Sequence, residues 1–147
     1  MKDFIEQQII GAVKEMLENR VNELISELQF SIPLVEVGGY EGGSAVCPII
    51  SLATCERTEK ERIIRLDTYS LTITFNLPEM PESELFCYAY SAAVGKAFSE
   101  DPTLGGVADR AVITGKKYVP PKNKNCGDSW SLVITLRLTV EGLNNAG

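Results

Sequence analysis

Histidine is absent from all 147 residues, and with it the commonest general base and metal ligand. A Ser-His-Asp or Cys-His arrangement is therefore impossible within one chain. Cysteine is sparse: Cys47, Cys55, Cys87 and Cys126 form no CxxC pair, so a zinc site would need four dispersed thiolates and no imidazole. Four ordinary reduced thiols is the plainer reading. An even count also permits disulfides, but nothing marks the chain as secreted. No stretch approaches the roughly 20 apolar residues that cross a bilayer. The start carries Asp3, Glu6, Glu15 and Glu18, unlike a signal peptide with a basic beginning and an apolar middle. A cytoplasmic product is the expectation. Bases are in deficit, 14 against 20 acids for a formal charge of −6. That argues against a tight grip on nucleic acid through its phosphates, though not against a surface that DNA merely passes.

Nucleotide and protease signatures are missing too. Gly38, Gly39, Gly42 and Gly43 bracket Tyr40-Glu41, but GGYEGG lacks the spacing and the Lys-Ser/Thr ending of a P-loop, and no helix follows closely. The segment reads as a connection. No metal or cofactor is expected.

What is present is globular: 44% hydrophobic and 23% charged residues, enough for one α+β domain over residues 1–147. Phe4, Ile5, Ile9, Ala12, Val13, Met16, Leu17, Val21, Leu24, Ile25 and Leu28 recur at spacings of three and four, which predicts a helix from Lys2 to about Leu28. Gln29–Val37 reads as extended, with Pro33 turning Ile32 away from helix. Cys47–Ala53 is a short strand candidate. Thr54–Arg65 reads as a charged connector or the tip of a protruding hairpin.

Tyr69, Leu71, Ile73, Phe75 and Leu77 alternate with Ser70, Thr72, Thr74 and Asn76, the pattern of a half-buried strand. Pro81 and the acids after it open a second helix, Leu85–Phe98, with Phe86, Ala89, Tyr90, Ala93 and Ala97 on one face. Val107–Ile113 is a strand candidate, and the lysines and prolines after Gly115 read as a loop. Trp130–Glu141 alternates again, and Gly142–Gly147 reads as a frayed tail. An antiparallel or mixed sheet of about four to five strands with both helices on one face satisfies this order, because each long strand has one apolar side.

Candidate chemistry is thin. Asp101 and Asp109 are a conceivable carboxylate pair, yet both sit around a Gly-rich turn where acids serve the turn itself. The charged segments Thr54–Arg65 and Lys116–Asp128 exceed ordinary hairpin loops, and long loops tend to bind something or reach a neighbour. Arg57, Arg62 and Arg65 on the first, and Lys116, Lys117, Lys122 and Lys124 on the second, are the expected contacts to acids of another subunit. Ser70, Thr72, Thr74, Thr135, Arg137 and Thr139 form a polar sheet face suited to a neighbouring subunit or a channel wall.

The order of elements resembles the tail-terminator (tail-completion) proteins of long-tailed bacteriophages and prophages. The resemblance rests on LDTYSLTITFNLPEMPESELFCYAYSAAVGKAF (residues 66–98), DPTLGGVADRAVITGKKY (101–118) and WSLVITLRLTVEG (130–142). It spans most of the chain and lies in order and length rather than in a signature. It implies a structural virion protein without catalysis, a homo-oligomer forming a ring, usually a hexamer, on the end of the tail tube. Such a ring stops tube growth and presents the surface that joins the head. The partners implied are the tail-tube protein and the head-connector or neck proteins. DNA passes the channel without specific binding, and an acidic wall would repel it. Assembly would take place in the host cytoplasm.

Three other readings stand beside this one. A head-completion or neck protein of the same assembly shares its size. A small ligand-binding or regulatory α+β domain would place a pocket between helix and sheet. An enzyme would have to use carboxylates or Cys55.

Overall fold

A computed structural model describes residues 4–29, 31–38, 45–77, 79–121 and 129–143. Among these residues one four-stranded sheet forms, antiparallel throughout. The strands are β1 (Ile49–Glu59), β2 (Ile64–Asn76), β3 (Arg110–Val119) and β4 (Ser131–Leu143), in the order β1-β2-β4-β3. The expected α+β architecture with a one-sided sheet is what the chain adopts.

The two strands with the clearest alternation become the two central ones. Their register sets apolar against apolar: Tyr69 pairs with Leu138, Leu71 with Leu136, Ile73 with Ile134 and Phe75 with Leu132. All eight lie in the core. Leu52 and Ile50 of β1 extend this layer beside Leu71 and Ile73, and Ala111 and Ile113 of β3 extend it beyond Leu138 and Leu136.

The first helix covers the β1 side. It starts at Ile5 and ends at Ser26, inside the expected Lys2–Leu28, and comes in three parts: α1 (Ile5–Met16), a π-helical stretch Leu17–Val21, and α2 (Asn22–Ser26). Ile9, Val13, Leu17 and Val21 are fully buried and recur every fourth residue. Four-residue steps drift around an α-helix of 3.6 residues per turn. A π turn takes more residues, so the stretch brings the stripe back toward the sheet.

Asn22 stands where the π stretch ends. Its amide donates to the Glu18 carbonyl at 3.0 Å and to the Val35 carbonyl at 2.9 Å, while its Oδ1 accepts the Val35 N–H at 2.7 Å. One side chain thus pairs with the backbone of the extended segment as a strand would. Glu18 Oε2 accepts the Val37 N–H at 3.0 Å, and the Tyr90 hydroxyl donates to the Pro33 carbonyl.

The second helix, α3 (Ser83–Glu100), buries Phe86, Cys87, Tyr90, Ala93, Val94, Ala97 and Phe98. It links β2 to β3, which run parallel to one another with β4 between them. Phe75 and Tyr90 stack with ring centroids 5.2 Å apart. Arg20 grips Glu100 with two nitrogens, at 2.7 and 3.1 Å, tying the helices together. After α3 the chain turns sharply through Leu104, Gly105 and Gly106, at φ 51°, 69° and 94°. Only glycine takes such φ freely, so Leu104 is strained there, and its burial under the turn offsets that strain.

Several boundaries differ from the sequence reading. Thr54–Arg65 is no loose connector: β1 runs on to Glu59 and β2 begins at Ile64, so the protruding-hairpin alternative holds. β3 begins three residues later than expected and includes Lys116 and Lys117, which had read as loop. Gly142 belongs to β4 rather than to a frayed tail. Gly39 to Ser44, Pro78, Lys122, Lys124 and Cys126 lie outside the described residues.

Replacing Asn22 by Ala should remove about 2 kcal/mol of stability in urea denaturation, because buried backbone groups of Val35 lose their partners. Ser26→Ala, on the exposed side of the same turn, should change it by less than about 0.5 kcal/mol.

Candidate functional site

Among the described residues nothing covers the face away from the helices. Across the ladders it forms four rows from edge to edge: Ile49–Thr74–Val133–Lys117, Ser51–Thr72–Thr135–Gly115, Thr54–Ser70–Arg137–Val112 and Glu56–Thr68–Thr139–Arg110. The middle of each row is small and polar or β-branched, which suits a solvated pleated surface. Ser70, Thr72, Thr74, Thr135 and Thr139 are half-buried, while Arg137 rises exposed among them. A shallow depression of about 340 Å³ lies around Arg137, Glu56, Thr54 and Thr114. The cations here, Arg110, Lys117 and Arg137, face the acids Glu56 and Glu141, so this face is not acidic. The chain's surplus of acid lies largely on and beside the helices, at Glu6, Glu15, Glu18, Glu23, Glu27, Glu82 and Glu84.

The expected interface cations divide into those the fold uses and those at its surface. Arg57 grips both carboxylate oxygens of Asp67, donating from Nε to Oδ1 at 2.8 Å and from a terminal nitrogen to Oδ2 at 3.2 Å, and Arg65 Nε also donates to Oδ2 at 3.3 Å. Asp67 is 5% exposed. It occupies the core-facing side of β2, one step beyond Tyr69, where helical cover ends and the Tyr69 hydroxyl meets Glu6 at 2.9 Å. There the apolar layer gives way to an ion network. Burial alone would push the Asp67 carboxyl up, but the hydrogen bond and charge of Arg57, with Arg65, outweigh it and hold the group below its ordinary value. Arg65 lies over Gly142, where a Cβ would stand 3.3 Å from its Nε. Lys60, in the hairpin turn, pairs with Glu141 of β4.

Lys116, though exposed, is also held within the chain. A bulge between Ile113 and Gly115 turns it toward the helices, and its Nζ donates to the Ser91 carbonyl of α3 at 3.0 Å. Tyr118 follows on the same side, with its hydroxyl 2.8 Å from Ser91 Oγ. Arg62 is exposed in the hairpin turn and Lys117 is exposed on the open face. Lys122 and Lys124 lie outside the described residues. The structure therefore brings Arg57 and Arg65 together on Asp67, a hub that sequence reading missed. The signal was available: Asp67 continues the odd-numbered apolar series of β2 and breaks it.

Other candidate chemistry resolves into structure. Asp101 Oδ2 accepts the Gly105 N–H at 3.0 Å, and Asp109 Oδ2 accepts the Glu141 N–H at 2.7 Å. Each carboxylate holds a backbone group. Cys87 is buried, and desolvation, with Glu84 nearby, pushes its thiol up to about 11, so it stays protonated at neutral pH. Among the described residues no group of three or more acids and cysteines stands where it could hold a metal ion. Among them, too, no helix is long and apolar enough to cross a membrane. A groove of about 560 Å³ lies between the extended segment and α3, lined by Ile32, Pro33, Met80, Leu85 and Phe86.

The Asp67 network makes a pH prediction. Its native carboxyl is more acidic than the unfolded one, so its contribution is complete above the unfolded value, near about 4, and is lost as pH falls through the native value. Asp67→Asn should destabilise by about 2 kcal/mol in denaturant melts at pH 7. That gap should begin to narrow as pH falls below about 4 and close only once the native carboxyl is protonated. No protein-family model matches the chain, and no curated protein matches its sequence.

Proposed function

We propose that this chain is a structural subunit of the tail-terminator kind. It forms one copy of a ring that sits on the end of a long-tailed phage's tail tube, stops its growth and offers the surface to which the head joins. The observation that carries this reading is the half-covered sheet. Helices cover one face as far as Tyr69, while the other is, among the described residues, a regular, polar, uncovered field between two charged edges. Such a face suits contact with a further protein surface better than a small-molecule site. The order of helix, hairpin, helix, strand and long final strand supports it as well.

The charge distribution refines the electrostatic part. A channel wall that lets DNA slide past would be acidic, and the acids lie on the helical side. The helices, rather than the open sheet, suit the wall. The tail-tube protein and a neck protein are the partners in this reading, in the virion after assembly in the host cytoplasm. The groove beside α3 favours a second reading, a small ligand-binding domain, because its volume falls within the range of such sites.

Electron microscopy tests the first reading. Purified protein, alone or with polymerising tail-tube protein, should show six-fold rings or tubes capped at one end. Free monomers beside uncapped, still-growing tubes would overturn it.

A further inference from the structure

The two edges of the sheet are complementary. Among the described residues β1 and β3 each have a strand on one side only. An unpaired edge is a row of free N–H and C=O groups, and proteins usually guard it with proline, lysine or a covering element. The β1 sequence IISLATCERTE contains neither proline nor lysine and is guarded only by the charges Glu56, Arg57 and Glu59 and by its bulge, while β3 carries Arg110, Lys116 and Lys117.

Geometry lets one edge receive the other. β1 and β3 run in opposite directions, because three antiparallel pairings separate them. A second copy, set beside the first with its open face turned the same way, therefore brings its β1 antiparallel to this β3. The backbone phase fits as well. Hydrogen-bonding direction alternates from strand to strand across a row, so in a four-residue row both end residues point outward or both point inward. Edges at the same level are then in phase without any shift. At that level the row beginning at Glu56 ends at Arg110, and both are exposed.

We propose that copies of this chain join side by side, the β1 edge of one against the β3 edge of the next, with Glu56 of one copy facing Arg110 of its neighbour. The contact is heterologous, so it repeats until the rotation closes a ring. Each edge also carries a bulge, between Leu52 and Thr54 and between Ile113 and Gly115. Bulges bend and twist a strand, which gives a shared sheet the curvature that closure requires. Directly opposite charges on one face of a strand pair attract, and like charges repel. This inference deepens the ring reading and rests on it.

A charge swap decides it. Sedimentation equilibrium should show Glu56→Arg and Arg110→Glu each weakening self-association by about tenfold, with the combined swap restoring most of the loss. In parallel, Glu56→Cys with Arg110→Cys, in a chain also carrying Cys47→Ser, Cys55→Ser and Cys126→Ser, should oxidise to a ladder of linked chains beyond the dimer. Self-association that neither reversal changes, with no ladder, would overturn this pairing while leaving a ring built on other surfaces. A monomer at every concentration that also yields no ladder would overturn it outright. Restoration by the swap, in a protein that does not cap tail tubes, would uphold the pairing and sink the terminator reading.

Discussion

The pairing of β2 with β4 is the constraint on which the rest of the molecule depends. From Ile64 against Leu143 to Asn76 against Ser131 the register runs without a break, and a slip of one residue would turn every apolar side chain to the wrong face. Because that register sets leucine, isoleucine and aromatic residues opposite one another on one side, that side must be covered. The helices answer this demand. Their own irregularities follow from it: the π stretch keeps a four-residue stripe on the sheet, and the Asn22 amide holds the segment that returns from the helix. The outer strands inherit their level from the central pair, and so does the alignment of the open face into rows.

This dependence explains what could be read beforehand. Tyr69–Leu77 and the Trp130 segment were legible because a one-sided sheet imposes strict alternation on its central strands. Both helices were legible because they bury a stripe. The outer strands were legible only in part: Cys47–Ala53 and Val107–Ile113 marked where β1 and β3 lie but not how far they run, since an edge strand with little cover has no reason to alternate. Glu56, Arg57 and Glu59 in β1, or Lys116 and Lys117 in β3, look like loop residues although they hold ladder positions. The roles of the cations were hidden for another reason. Arg57 and Lys116 stand out in sequence, but what they touch, Asp67 and the Ser91 carbonyl, is fixed by strand register and by helix placement. Spacing along the chain carries neither.

The ring reading and the edge pairing draw on different parts of the same architecture. The ring reading uses the division of the sheet into a covered and an uncovered face, and places the acids on the covered side. The pairing uses the ends of the rows and the even number of strands. An odd number would make the two edges run in the same direction, and copies set side by side could then pair them only parallel. Four strands make the unit repeatable.

The Asp67 network gives the hairpin a further property. At about 3.3 Å per residue, the 13 residues of β2 span about 43 Å, whereas the 18 residues of α3 span about 27 Å. The sheet outruns its helices, and the two ends of the β1–β2 ribbon are held by different forces. Near Ile50 and Ile73 the ribbon rests on buried hydrocarbon, whose association excluded salts such as sulfate strengthen. Near Arg57 and Asp67 it is held by charges partly open to solvent, which added salt screens over about 8 Å at physiological strength. One pair of strands therefore responds to salt in opposite senses along its length: its root stiffens under the conditions that loosen its tip.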